Sequence, residues 1–219
     1  MDKNLPCHLT TEFSIVGSYT STEKPRLMDA LDQSSPAAFA YAHERYSTIR
    51  HQAYIVTLAR VRARGTVPAG TILTSLSQQA VDAYQLQWRS SHWTGSGGWP
   101  WTLLARRFTR KPRSFHAALW SGPVLCGLCV GRVSKGRKHL TVHYMESAPD
   151  SEHPLRGLIT PLMLDAARNY ALSLGIETLR LREPLPGVMQ RYRYFGFSVA
   201  GIEQGALYFE ERLSQGSGA

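Results

Sequence analysis

Cysteine is scarce in this chain of 219 residues: there are three, too few for a disulfide framework. No apolar run approaches the roughly 20 residues of a membrane span. The longest compact one, Val124 to Val130, has the length of a strand. The first residues, Met1-Asp2-Lys3-Asn4, lack the charged-then-apolar pattern of a secretory signal. These absences suit a reduced, cytoplasmic protein with no membrane contact. No Gly-x-Ser-x-Gly elbow, phosphate-binding P-loop or His-Glu-x-x-His pattern occurs, so hydrolase, NTPase and zinc-protease chemistry find no support.

Acidic side chains are absent where basic ones gather. Residues 51–140 carry 13 basic side chains against Asp82 alone, a balance of +12 within a net charge of +9. Such a field attracts polyanions: nucleic acid, phosphorylated cofactors or acidic protein surfaces. A solvated basic face that confers solubility is the plainer alternative.

Along the chain, residues 1–33 have no clear period and read as an irregular arm. Ser35-Pro36 reads as an N-cap and first helical residue, with a helix to about Arg50. Tyr54 to Arg64 could extend that helix or form a strand. Thr74 or Ser75 could cap a second helix running to about Ser90. A glycine-rich loop then holds Trp93, Trp99 and Trp101, rings that could line a ligand pocket. A short basic helix follows, from about Trp101 to Arg110.

The sheet is expected to begin at Phe115, with an antiparallel meander of Phe115–Trp120, Val124–Val130 and Leu140–Glu146. Cys126 and Cys129, three apart on a strand, are expected on opposite faces as small core residues, and no metal site is expected. Thr160 and Pro161 read as the N-cap and first residue of a helix that Gly175 ends. Its free N–H groups offer an anion site. A strand follows at Glu177–Arg182, giving a strand–helix–strand unit. Then come a short helix near Gly187–Tyr194 and one or two closing strands from Phe197 to Phe209.

This order, together with two motifs, resembles the GNAT family of acyl-CoA-dependent N-acyltransferases over about Thr74 to Phe209. The first motif is Pro154-Leu155-Arg156-Gly157-Leu158-Ile159, similar to the family's Arg/Gln-x-x-Gly-x-Gly/Ala cradle. Gly157 fills the first glycine position, whereas Pro154 and Ile159 depart from the pattern and make the loop degenerate. The second is Tyr192-Arg193-Tyr194-Phe195-Gly196-Phe197, similar to the family's Tyr-x-x-x-Gly-Phe. The family's strand-end Asn has no counterpart in Glu183-Pro184-Leu185-Pro186.

The resemblance implies an α/β (α+β) fold: a mixed, mostly antiparallel sheet flanked by helices, here with an N-terminal helical extension. It divides the chain into an arm and extension (1–73), an acyltransferase domain (74–213) and a tail (214–219). It implies acetyl-CoA as acyl donor, held by Met145, Leu155, Arg156, Gly157, Leu158, Ile159 and Thr160. Tyr192, with Tyr194 as competitor, would attend the leaving sulfur. Glu146 would be the base, with His143 and His116 as alternatives. Trp93, Trp99 and Trp101 would shape the acceptor site. The partner would be an amine-bearing acceptor, with tRNA or a nucleic-acid-associated protein fitting the charge, and a homodimer is possible. The alternative reading is a catalytically weak module of this shape that binds nucleic acid or an acidic partner through residues 51–140.

Overall fold

The computed structural model describes residues 35–88 and 97–214. The first helix, α1 (Pro36–Ala63), is capped by Ser35, whose hydroxyl accepts from the Ala38 amide at 3.1 Å. It runs unbroken through the stretch that could have been a strand. Ala53, Tyr54, Thr57 and Leu58 make a buried stripe at helical spacing. The arginines beyond it fan outward: Arg60 pairs with Asp165 at 3.0 Å, and Arg62 donates to the Thr71 carbonyl at 2.7 Å.

A short strand not expected from the sequence follows, β1 (Thr71–Thr74), so the sheet begins well before Phe115 and the expected boundary after residue 73 falls inside a strand. Helix α2 (Gln78–Gln87) is capped by Ser77 rather than by Thr74 or Ser75. After α3 (Trp101–Thr109) come β2 (Phe115–Ser121), β3 (Val124–Val133) and β4 (Leu140–Ser147). Helix α4 (Ile159–Ser173), β5 (Thr178–Arg182), a 3-10 turn at Pro186–Val188, α5 (Met189–Tyr194), β6 (Ser198–Glu203) and β7 (Ala206–Arg212) complete the order.

The seven strands lie in the order β1-β2-β3-β4-β5-β7-β6. Among the described residues only the β4–β5 pair is parallel, because α4 carries the chain back across the sheet between them. The result is the mixed, mostly antiparallel sheet with flanking helices that the sequence led us to expect. Strand β2 alternates between two cores. Phe115, Ala117 and Leu119 join α1 and α4 in one, and Ala118 and Trp120 join α2 and α3 in the other.

Two one-residue bulges modify this alternation. In β3, Leu119 faces Gly127 but Trp120 faces Leu125, which leaves Cys126 as the extra residue. Cys126 and Cys129 therefore share the α1/α4 core instead of lying on opposite faces. Both are buried free thiols, and burial raises both above the usual thiol range. In β4, Val130 faces Tyr144 and Gly131 faces Val142, so His143 is the extra residue. Gly131 permits the close approach, since a Cβ there would lie 2.7 Å from the Thr141 carbonyl oxygen.

Helix α1 is tied to the start of β2 by polar groups as well as by packing. Tyr54 donates its hydroxyl to the His116 carbonyl, and Arg50 donates to the carbonyls of Pro112 (2.8 Å) and Ser114 (3.1 Å). His116 Nδ1 accepts from the Leu76 amide at 3.2 Å. Burial, with the nearby Arg50 charge, holds the His116 imidazole down at about 3. Its folded value lies below its unfolded one, so the unfolded chain binds the extra proton. Stability from this group is full above about pH 6.5 and is lost as pH falls toward 3, by up to about 1.4 kcal/mol per unit. We expect urea unfolding at pH 7, 5.5 and 4.5 to show this loss. His116→Gln, which keeps an acceptor but cannot titrate, should lose less over the same range.

Candidate active site

Strands β4 and β5 pair only from Leu140–Leu179 to Val142–Leu181, yet β4 runs on to Ser147. The bulge at His143 coincides with the end of pairing. Beyond it, the β5-facing edge of β4 from His143 to Ser147 has no ladder partner in β5. A wedge with free backbone groups therefore opens in the middle of the sheet, a place where an extended ligand can add its own amides.

The loop that leaves β4 winds into α4 through consecutive turns, with Arg156 donating to the His153 carbonyl and Leu158 to that of Leu155. Helix α4 starts at Ile159, two residues earlier than a Thr160 cap would give, and Leu158 precedes it without a side-chain cap. Pro161 is thus the third helical residue, where a missing N–H still costs nothing. The amides of Ile159 and Thr160 have no acceptor within the helix. Gly157 stands just before them at φ +80°, and nothing lies within 4 Å of where its Cβ would be. The Arg156 side chain is 72% exposed and only loosely paired with Glu152 at 3.6 Å. These features bring unpaired helix-start amides, open backbone and an exposed guanidinium together at the end of the wedge, a cradle whose groups could meet an anion.

The two departures in the loop are accommodated. Pro154 is exposed, and Leu155 and Ile159 turn into the core. Ile159 does not crowd the cradle because it fills space that β3 leaves open: a Cβ on Gly127 would sit 2.7 Å from Ile159 Cγ2. Arg191, a residue that no sequence signal marked, clamps the loop from α5 by donating to the Gly157 carbonyl at 2.6 Å.

Of the two tyrosines, Tyr194 is 87% exposed, whereas Tyr192 is half-buried against the α1/α4 core. Burial, and the neighbouring Cys129 thiol, push the Tyr192 hydroxyl up to about 12. Cys129 faces Met145 across the β3–β4 ladder, so Tyr192 reaches the sheet beside the wedge.

Glu146, 7% exposed, faces the other side of the sheet. Its two oxygens accept from the Gly98 amide and from Trp101 Nε1. Burial raises its carboxyl above the usual range, and these N–H groups oppose the rise. Trp101, expected among the rings of a ligand pocket, is fully buried at the start of α3 with its N–H on Glu146. Trp99 is partly exposed and meets Tyr144 edge-on at 4.9 Å. Trp93 lies outside the described residues. His116 is committed to the Leu76 amide, and His143 sits on the bulge at the apex of the wedge.

The accommodation of Ile159 is testable by a double-mutant cycle. Gly127→Ala should cost about 1–3 kcal/mol by overpacking. In an Ile159→Ala background the same change should cost little, because the clash is gone. Equal costs in the two backgrounds, measured by urea unfolding, would mean that the two residues do not share this space.

No family model and no curated protein matches the sequence. Among solved structures, the ribosomal-protein-S18-alanine N-acetyltransferase from Escherichia coli is similar over 67% of this chain and 96% of its own, at 17% identity and TM-score 0.50. Aminoglycoside 6'-acetyltransferase type Ii is similar over 64% of this chain and 96% of its own, at 14% identity and TM-score 0.49. Nourseothricin acetyltransferase is similar over 47% of this chain and 67% of its own, at 24% identity and TM-score 0.40. At such identities the first of these likenesses establishes architecture and nothing of substrate. The chain has a GNAT-like fold, shared with the Escherichia coli N-acetyltransferase.

Proposed function

We propose that the chain is an acyl-CoA-dependent N-acyltransferase that moves an acetyl group from acetyl-CoA to a primary amine by direct attack in a ternary complex. The observation that carries this reading is the wedge between β4 and β5 meeting an open anion cradle at the start of α4. The cradle suits a pyrophosphate, and the free edge of β4 suits a pantetheine arm with its amides. Bound there, acetyl-CoA would supply an activated thioester.

In this reading the amides of Ile159 and Thr160, the open backbone at Gly157 and the Arg156 charge hold the phosphates. Leu155 and Leu158 shape the loop, and a β4 amide near Met145 polarises the acyl carbonyl. Glu146 takes the proton from the attacking amine; its raised carboxyl makes it a stronger base than an exposed glutamate. The amine's attack forms the C–N bond as the C–S bond breaks. Tyr192 gives a proton to the departing sulfur, and its hydroxyl, held near 12, remains a donor throughout the working pH range. Trp99, beside Tyr144, belongs to the acceptor side of the site.

The rival reading, a weakly catalytic module that binds nucleic acid through residues 51–140, draws its support from the basic charge alone. Mutation of Tyr192 separates the two. Tyr192→Phe should lower kcat for thiol release from acetyl-CoA by about a hundredfold. Unchanged turnover would remove the tyrosine from the chemistry, and undetectable turnover in the wild type at saturating acetyl-CoA would favour the rival.

A further inference from the structure

On the α3 side of the sheet, cations collect around the apex of the wedge, where β4 and β5 begin to part. The Phe108 ring lies between the Arg132 guanidinium, 4.8 Å from its centroid, and the His143 ring at 5.7 Å. Arg132, Arg182 and Arg107 are all near enough to act on His143. With burial as the larger cause, they hold its imidazole down at about 4, so it is neutral at working pH. Arg132 Nε is buried and has no hydrogen-bond partner among the described residues.

Arg132 also forms one wall of a cavity of about 310 Å3, shared with Lys111, Arg113 and Lys135. No acidic side chain lines that cavity. Its floor is fixed, because the buried Arg50 holds the carbonyls of Pro112 and Ser114. Among the described residues none of these four cations is in a salt bridge, nor is Arg107. The nearby acids are engaged elsewhere: Glu203 and Glu210 with Arg180, Glu183 with Arg182, and Glu146 with the loop before α3. Gathering like charges with no counter-charge opposes folding, and an anionic ligand relieves that repulsion.

We infer that the acceptor is an anionic amine. Its amine reaches the apex of the wedge beside His143, and its carboxylates or phosphates rest against Arg107 and Arg132 and in the cavity of Lys111, Arg113 and Lys135. The inference rests on the acyl-transfer reading and names the acceptor class for that site. Polyamines and other polycationic amines would be repelled at the same place.

The test uses the full chain and three short peptides that share an N-terminal glycine, followed by aspartates, phosphoserines or lysines, with spermidine as a further polycation. Binding is read by fluorescence anisotropy of labelled peptides, turnover by thiol release, and acetyl-CoA affinity by calorimetry. We expect the acidic or the phosphorylated peptide to exceed the lysine peptide and spermidine by at least about tenfold in kcat/KM, with the gap narrowing as salt rises. Whichever anionic peptide leads identifies the source of the charge. Paired replacement of the exposed Lys111→Glu and Lys135→Glu should reduce that preference about tenfold and leave acetyl-CoA affinity unchanged. If acetyl-CoA binds but the lysine peptide or spermidine is equal or preferred, the inference is overturned and the acyl-transfer reading stands. The same holds if no anionic peptide binds. If acetyl-CoA itself does not bind, it is the acyl-transfer reading that fails.

Discussion

The parting of β4 from β5 after Val142 and Leu181 is the constraint on which the rest of the molecule depends. A continuous sheet would leave no room at its centre for an extended ligand. Parallel pairing ends just as β4 takes an extra residue at His143, and a bulge bends the strand that carries it. Gly131 is what allows β3 to stay paired around that bend, because any side chain there would strike the Thr141 carbonyl. The wedge is thus built from both sides: by the bend in β4, and by α4 returning the chain to a β5 that pairs with only the first part of its neighbour.

Around this opening the two cores have different tasks. On one face, α1 and α4 bury Tyr54, Met163, Tyr170 and Phe209, and Asn169 donates to the Thr57 hydroxyl at 2.8 Å to lock the two helices together. The N-terminal helix is therefore part of the body that supports the cradle. On the other face, Trp101 buries its ring beneath α3 and directs its N–H to Glu146. One carboxylate fixes the loop before α3, and that loop in turn keeps the carboxylate in place. A charge buried this deeply is tolerable because several N–H donors meet it.

Much of this was legible in the sequence because it is written locally. The meander from Phe115 and the helix before Gly175 both follow from neighbouring residues. What was not legible depends on partners far apart in the chain. Both bulges are one-residue slips that only a strand partner reveals, and regular alternation alone puts the two cysteines on opposite faces. Strand β1 is four residues long and pairs with a segment far downstream. Ile159 stands out as a departure from the family pattern, and its complement, Gly127, lies in another strand. Nothing near Trp101 in the chain announces its partner Glu146, which lies in β4. The arginines beyond Tyr54 fit either helix or strand until the buried stripe beneath them settled the matter.

The central claim is that the loop before α4 holds the phosphates of an acyl-CoA, and calorimetric titration with acetyl-CoA tests it most directly. The wild type should bind one equivalent in the micromolar range. Gly157→Ala and Gly157→Glu share the backbone cost of a side chain at φ +80°, but only the glutamate adds a negative charge where phosphates would lie. The account predicts that the glutamate variant binds at least about tenfold more weakly than the alanine variant, a difference of about 1.4 kcal/mol. Wild-type protein that takes up no acetyl-CoA, or two variants that bind it alike, would contradict the account.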